Sequence, residues 1–184
     1  MNTGDRPKRL QGQTLKDVEI VAVEPADVEK ISALAAEIWW RHYPGIISAA
    51  QIEYMLKQRY DPAVLRAELR CKDLWWDKLV VGDAMVAFAS YFPVDDGRAI
   101  KLDKLYVHPG HQRTGYGGIL IARVCECALT RGCLRITLAV NKNNASAIAA
   151  YLKHGFRVAD SVVTDIGGGF VMDDYIMDRC IYRD

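Results

Sequence analysis

The segment from Leu105 to Gly118 restricts the possible folds of this chain more than any other part of the sequence. It reads LYVHPGHQRTGYGG: an apolar, strand-like stretch stops at Pro109, a glycine-rich loop follows, and a helical pattern then begins. Backbone N–H groups at the start of a helix lack intrahelical partners and carry partial positive charge, so they attract phosphate. The segment therefore predicts a phosphate-binding loop between a strand and a helix.

Two common phosphate loops do not match this segment. The Walker loop requires a lysine after its last glycine, but Tyr116 follows Gly115. The dinucleotide loop begins at Gly115 and Gly117, but Leu120 stands where its third glycine belongs, and the strand expected at 136–140 contains no acidic residue. A glycine-rich turn that opens an ordinary helix remains an alternative at this point.

Hydrophobic periodicity divides the rest of the chain into short strands and amphipathic helices. Strands and helices alternate along the chain, and a hairpin sequence follows near the end, which predicts a mixed sheet with helices on both faces. The polar residues 1–17 predict a flexible N-terminal tail, and 18–184 have the length of one domain. The predicted strands are 18–23, 74–81, 84–92, 99–107, 134–140, 157–164 and 174–182.

A second motif follows one predicted strand after the loop. Asn144 is a good N-cap for a helix, Ala147 and Tyr151 share a helix face, and Gly155-Phe156 follow its end. Together with the Gln/Arg-x-x-Gly-x-Gly/Ala pattern at 112–117, this Asn-x-x-Ala-x-x-x-Tyr-x-x-x-Gly-Phe motif resembles the GNAT (Gcn5-related) N-acetyltransferases. The resemblance extends over about residues 18–182 and is strong from 102 to 156.

The resemblance implies an α/β fold of the mixed α+β kind, the GNAT acyl-CoA N-acyltransferase fold. Its central mixed sheet is mostly antiparallel and flanked by helices. It also implies acetyl-CoA as cosubstrate, with no metal. Residues 105–107 would pair with the pantetheine arm, and the amides of 112–118 would hold the pyrophosphate. The expected cofactor-binding residues are Leu105, Tyr106, Val107, Gln112, Arg113, Thr114, Gly115, Tyr116, Gly117, Gly118, Asn144 and Tyr151.

The resemblance also indicates two catalytic side chains. Tyr151 is the expected proton donor to the departing thiolate, since a phenol is protonated at neutral pH; plain packing is the alternative. Asp103 is the expected base, acting through a water, and strand alternation predicts that Asp103, Leu105 and Val107 share one face. The alternative for Asp103 is an ion pair with a neighbouring lysine, Lys101 or Lys104.

The acceptor pocket is expected between the early helices and the end of the sheet. Aromatic rings and carboxylates suit a cationic amine, through cation–π contacts and charge pairing. The candidate residues are Glu37, Trp40, Tyr43 and Asp174. Burial of the aromatic residues and solvation of the aspartate are the alternatives, and Gly167-Gly168-Gly169 is either a mobile lip over the pocket or a hairpin turn.

Composition restricts the partners. The formal charge of +1 gives no reason to expect nucleic-acid binding. No apolar run approaches the about 20 residues that span a bilayer, and the N-terminus lacks the apolar core of a signal peptide. The five cysteines do not have the spacing of a disulfide framework, and they are interpreted as reduced thiols of a cytoplasmic protein.

These observations favour an N-acetyltransferase that acts on the primary amine of a small molecule, such as a polyamine or another cationic amine. Two alternatives stay open: acetylation of a protein lysine or N-terminus, and a noncatalytic acyl-CoA-binding module. A dinucleotide-binding enzyme is disfavoured because Leu120 replaces the third glycine. The family resemblance also indicates a possible homodimer formed through the late strands.

Overall fold

The computed structural model describes residues 18–181. They form a seven-stranded sheet with the order β1-β2-β3-β4-β5-β7-β6, in which β4 and β5 are parallel and the other neighbours are antiparallel. The predicted tail at 1–17 and the end of the last predicted strand, Tyr182, lie outside the described residues. The strands are β1 Val18–Ala22, β2 Trp75–Val81, β3 Ala84–Val94, β4 Ala99–Val107, β5 Arg135–Asn141, β6 Arg157–Gly167 and β7 Phe170–Cys180.

Helices cover both faces of the sheet, as the sequence predicts. One hydrophobic core lies between the sheet and the later helices, and a second core lies between the sheet and the early helices. The mixed, mostly antiparallel sheet between two helical layers is therefore confirmed. The helices are α1 Val28–His42, α2 Ala49–Tyr60, α3 Pro62–Leu69, α4 Tyr116–Thr130 and α5 Ala145–Lys153.

Local capping explains where several helices begin. Ser48 accepts a hydrogen bond from the Gln51 amide at the start of α2, and Asp61 accepts one from the Ala63 amide at the start of α3. Each cap satisfies an N–H group that has no partner within the helix. These starts were predictable because a cap depends on residues a few positions apart.

Strands β4 and β5 separate shortly after they begin to pair. Their parallel register covers only Ala99–Lys101 against Arg135–Thr137. Beyond Lys101, β4 continues to Val107 paired with β3 alone. The separation leaves one edge of β4 unpaired among the described residues, and it opens a cleft in the middle of the sheet.

A β-bulge at Asp103 overturns the predicted alternation along β4. Ser90 pairs with Lys104 and Tyr91 with Leu102, so Asp103 is the extra residue. The bulge turns Asp103 towards α2, whereas Leu105 and Val107 pack into the core under α4. The prediction that all three share one face is therefore wrong for Asp103.

The late strands form a longer hairpin than the sequence indicates, and Gly168 and Gly169 are its turn. Both have positive φ (64° and 79°), which glycine adopts without strain. The hairpin tip is held against α2: Tyr54 donates a hydrogen bond to the Ile166 carbonyl (2.7 Å), and Gln51 donates one to the Val171 carbonyl (2.8 Å). The triple glycine is thus a hairpin turn fixed to α2.

Candidate active site

A continuous cavity of about 790 Å³ occupies the cleft between β4 and β5. Its size lies within the range of about 300–1,000 Å³ typical of small-ligand sites. One part is bounded by the glycine-rich loop and α5, and the other by α1, α2 and the β6–β7 hairpin. Most predicted cofactor residues line it: Leu105, Tyr106, Val107, Gln112, Arg113, Gly115, Tyr116, Gly117, Gly118, Asn144 and Tyr151.

The loop presents unpaired backbone donors to this cavity. Within residues 18–181, the amides of 113–118 donate no hydrogen bond to another protein group. Gly115 precedes α4 with φ of 93°, and Arg113 also has a positive φ of 63°. This arrangement suits an anion such as a pyrophosphate. Thr114 does not line the cavity; its hydroxyl donates to the His111 carbonyl (2.6 Å) and closes the loop.

His154, at the end of α5, packs against the start of α4. A Cβ atom on Gly118 would lie 2.6 Å from His154 Cε1, so a larger residue at 118 requires the ring to move. The sequence patterns did not single out His154. The signal that could have found it is its position immediately before Gly155 in the second motif.

Asn144 joins the two halves of the site. Its Oδ1 accepts hydrogen bonds from the Ala147 amide (3.2 Å) and from His42 Nε2 (3.0 Å) at the end of α1. The residue is buried and lines the cavity, and its amide nitrogen has no hydrogen bond with a described residue. That free donor suits a carbonyl group of a bound pantetheine arm.

Tyr151 of α5 lines the cavity. Its ring packs edge-on against Phe156, with centroids 5.6 Å apart. Burial, followed by the nearby Tyr43, raises the pKa of the Tyr151 hydroxyl. The hydroxyl therefore keeps its proton at neutral pH and is able to donate it.

Asp103 is held by two cations. Its Oδ2 accepts hydrogen bonds from Arg59 of α2 (2.6 Å) and from the buried Lys104 (2.8 Å). Burial alone would raise the pKa of Asp103, but the charges of Arg59 and Lys104 outweigh it and lower the pKa to about 2. The ion pair with Lys104 was one predicted alternative; Arg59 was missed, because it belongs to no motif and reaches Asp103 only in the folded chain.

An aromatic cluster forms the floor near α1. Trp39 packs against Tyr43 with the two ring planes tilted by 31° (centroids 4.3 Å apart), and the Tyr43 hydroxyl lies 3.3 Å from that of Tyr106. Burial, followed by the Tyr106 hydroxyl, raises the pKa of Tyr43, so this pair of phenols stays protonated. The Trp39 indole N–H is buried without a hydrogen-bond partner, and Trp39 lines the cavity.

Asp174 lines the same part of the cavity from β7. Its Oδ1 is buried without a hydrogen-bond partner, and the side chain makes no salt bridge within residues 18–181. Burial, followed by the neighbouring charge of Asp173, raises the pKa of Asp174, while Arg59, Lys101 and Lys142 act in the opposite direction. The predicted position of Asp174 in the acceptor pocket agrees with this geometry.

Glu37 and Trp40 do not line the cavity, contrary to their predicted position. Successive helical residues point about 100° apart, so α1 buries Trp39 and leaves Trp40 with 43% of its surface exposed. Glu37 lies on the outer side of α1, where its carboxylate contacts His108 Nε2 (2.9 Å) and Arg41 (3.6 Å). Tyr43 and Asp174 are the two predicted acceptor residues that the fold brings to the cavity.

Within residues 18–181, no group of three or more His, Cys, Asp or Glu side chains is arranged to hold a metal ion. All five cysteines are free thiols. In the same part of the chain, no helix has the length and apolar character needed to cross a membrane.

The family model for the acetyltransferase (GNAT) family matches residues 34–156. This span is more than half of the chain, so the chain belongs to the GNAT acetyltransferase family. An uncharacterized N-acetyltransferase of Mycobacterium bovis is 34% identical over 103 residues, which are 56% of this chain and 62% of the relative. The chain therefore matches less than two thirds of that relative's length.

Two further similarities extend over most of the chain. The spermidine N(1)-acetyltransferase of Thermoplasma acidophilum is 26% identical over 160 residues, 85% of this chain and 96% of the relative. The crystal structure of the PaiA N-acetyltransferase from Thermoplasma acidophilum in complex with coenzyme A superposes with a TM-score of 0.77. It is 24% identical in sequence, and the match covers 89% of this chain and 98% of that chain. This likeness establishes the GNAT fold.

Proposed function

We propose that this protein transfers the acetyl group of acetyl-CoA to the primary amine of a small molecule. The observation that carries the proposal is the single cavity in which the separated edge of β4, the unpaired amides of 113–118 and the Tyr151 hydroxyl come together.

The donor half of the cavity fits an acyl-CoA in three respects. The free edge of β4 at 105–107 can pair with the amide groups of a pantetheine arm, as a strand would. The amides of 113–118 and the Arg113 guanidinium suit the pyrophosphate. The unpaired amide nitrogen of Asn144 adds a donor at the side of the cleft. Acetyl-CoA, when bound, supplies an acetyl group activated as a thioester.

Tyr151 is proposed as the general acid. Its raised pKa keeps the hydroxyl protonated at neutral pH, and Tyr151 lines the cavity. A backbone N–H on the open edge of β4 near Tyr106 or Val107 is proposed to stabilise the oxygen that becomes negatively charged.

Asp103 is less suited to the role of base than the sequence suggested. A carboxylate with a pKa of about 2 is a weak proton acceptor, and its salt bridges to Arg59 and Lys104 would have to break or weaken as it gained a proton. We propose that Asp103 instead positions the Arg59 guanidinium at the cavity wall.

A small acceptor is favoured over a protein because of the β6–β7 hairpin. Tyr54 and Gln51 fasten the hairpin tip to α2, and Ile166 and Met172 of the hairpin line the acceptor end of the cavity. An extended polypeptide would need this wall to open. The relative named for spermidine supports a small amine as the acceptor class.

An acetyl-CoA turnover screen tests this function. Thiol release is measured with the purified chain against polyamines, monoamines, amino acids, aminoglycosides and peptides. Turnover of one or more small amines, with little on peptides, is expected. Preferential turnover of peptides would favour the protein-acetylating alternative, and tight acetyl-CoA binding with no turnover on any amine would favour the noncatalytic one.

The oligomeric state stays a prediction. Strand β6 lies at the edge of the sheet, and Val158 and Val163 are exposed on it. Sedimentation velocity of the full chain distinguishes a monomer from the homodimer that the family resemblance indicates.

A further inference from the structure

We propose that Asp174 receives the ammonium group of the acceptor and takes its proton, and that the acceptor site recognises an amine with a single positive charge. The proposal rests on the proposed acetyl transfer and names the base and the acceptor class for that reaction. Three observations support the proposal: Asp174 has no salt-bridge partner within residues 18–181, it lines the cavity, and the charged side chains near it are paired with one another or are positive.

Asp174 has a carboxylate for which the protein supplies no partner. Oδ1 is buried without a hydrogen bond, and no lysine or arginine in residues 18–181 forms a salt bridge with the side chain. Burying an unpaired carboxylate is costly, so buried acids are normally paired. Asp173, the preceding residue, is exposed and forms a salt bridge with Lys142. The absence of a partner at Asp174 is explained when the partner is a substrate cation.

The position of Asp174 suits proton transfer at the reacting centre. It lies on β7 opposite Asn141 of β5, and it lines the cavity together with Tyr43 and Tyr151. The same cavity therefore brings the proposed base, Asp174, and the proposed acid, Tyr151, to one ligand site.

The charges at the acceptor end restrict the ligand further. Four ionised side chains line this end: Arg59 and Lys101 are positive, and Asp103 and Asp174 are negative, so their formal charges cancel. Asp103 is paired with Arg59 and Lys104, and Lys104 also contacts Glu68, so these four charges cancel. Asp174 is therefore the one carboxylate that remains for the acceptor, and a second or third ammonium group of a polyamine would meet the charge of Lys101 without a compensating acid.

The chemical step conserves protons and electrons. The Asp174 carboxylate removes one proton from the acceptor ammonium, and the freed nitrogen lone pair attacks the thioester carbonyl carbon, forming the C–N bond. The C–S bond breaks, its electron pair leaves with sulfur, and the Tyr151 hydroxyl protonates the thiolate. The acceptor nitrogen loses a second proton, which restores the Tyr151 hydroxyl, and Asp174 releases the proton that it took to solvent. The products are the acetamide, the free thiol and one proton.

The experiment compares Asp174→Asn with the matched variant Asp173→Asn, using phenethylamine as a singly charged acceptor. We expect Asp174→Asn to lower kcat/KM by about 100-fold or more, the usual contribution of a positioned base, and Asp173→Asn to stay near the wild-type value. Asp174→Asn removes an unpaired, half-buried charge, so the variant should fold and keep its affinity for acetyl-CoA in calorimetry.

A second acceptor separates a chemical role from a structural one. Trifluoroethylamine is uncharged at neutral pH, so it has no ammonium to bind and no proton to lose before attack. The defect of Asp174→Asn relative to wild type should therefore shrink to less than about tenfold with this amine. Spermidine should be used less efficiently than phenethylamine by the wild-type protein.

Several results would overturn the proposal while leaving acetyl transfer intact. They are equal activity of the Asp174 and Asp173 variants, an equal defect of Asp174→Asn with both amines, a larger defect for Asp103→Asn than for Asp174→Asn, and a clear preference for spermidine. If the wild-type protein binds acetyl-CoA but acetylates no amine, the proposed function itself fails, and the role of Asp174 fails with it.

Discussion

Arg59 Nη2 lies 2.6 Å from Asp103 Oδ2, and this contact joins α2 to the bulge in β4. The carboxylate is 13% exposed and also contacts the ammonium group of Lys104, which in turn contacts Glu68 of α3. The four charges alternate in sign from α2 through β4 to α3. This network stabilises the wall of the acceptor half, and it makes Asp103 an ion-pair partner of Arg59 and Lys104 and a weak proton acceptor.

The network predicts a loss of stability in acid. Because Arg59 and Lys104 lower the pKa of Asp103 from 3.8 to about 2, the ion pairs stabilise the fold above about pH 4. That contribution, roughly 2 kcal/mol, should disappear as the pH falls through about 2. The free energy of unfolding of wild type and Asp103→Asn, measured by urea titration from pH 7 to 2, should differ most at neutral pH and converge in acid.

Asp83→Asn is the control for this measurement. Asp83 is exposed in the β2–β3 turn and forms no salt bridge within residues 18–181. A pH-independent difference between wild type and Asp103→Asn would contradict the assignment of the ion pairs to stability.

The hydroxyl of Tyr151 should matter for turnover and little for binding. Tyr151→Phe keeps the ring against Phe156 but removes the proton donor, so kcat should fall by about 100-fold or more. The dissociation constant for acetyl-CoA, measured by calorimetry, should stay within about threefold of the wild-type value, because the group acts mainly in the transition state. Tyr175→Phe, on β7 outside the cavity lining, is the matched control. An unchanged kcat for Tyr151→Phe would make Tyr151 a packing residue.

Valine at Gly115 should abolish acetyl-CoA binding. Gly115 has φ of 93°, which a valine does not adopt without strain, and its new side chain would enter the cavity beside the unpaired amides. Gly132→Val is a matched control, since Gly132 has φ of 73° and equally open surroundings but lies at the other end of α4. Both variants should lose a similar amount of thermal stability, and Gly115→Val alone should lose the calorimetric binding signal. Normal binding by Gly115→Val would disprove the loop assignment.

The hairpin wall can be displaced at one glycine. A Cβ on Gly168 would lie 2.8 Å from the Tyr54 ring, whereas a Cβ on Gly169 meets nothing within 4 Å, although both glycines have positive φ. Gly168→Ala should therefore push the tip from α2 and raise the KM for the amine several-fold, with the KM for acetyl-CoA unchanged. Gly169→Ala carries the same kind of backbone strain and should leave both KM values near those of the wild type. Equal effects of the two substitutions would mean that the contact with Tyr54 does not shape the acceptor site.

The donor half of the site was largely predictable. A phosphate loop depends on consecutive backbone amides, and the start of α5 depends on Asn144 and the amide three residues later, so sequence and local geometry determine both. The family signature at 112–117 and 144–156 therefore indicated the arrangement before any tertiary contact was known. Thr114 is a partial exception, because its hydroxyl closes the loop instead of facing the cavity.

The acceptor half depends on contacts between distant segments. One bulge moved Asp103 to the opposite face of β4 from the one that simple alternation predicts, and Arg59 reached it from 44 positions away. The rotation of α1 placed Trp39 in the cavity and Trp40 outside. Neither residue type nor periodicity determines such outcomes, because each depends on how helices pack on the sheet.

By itself, the sequence determined a GNAT domain with an anion-binding loop, since helix starts, turns and alternating strands arise from residues close together in the chain. Only the tertiary structure decided which carboxylate stays free for a ligand. Asp103 and Asp174 are the same residue type on neighbouring parts of one cavity. Folding surrounds Asp103 with cations and leaves Asp174 without a salt-bridge partner in the described chain. Electrostatic environment, which depends on every element around a group, separates their roles.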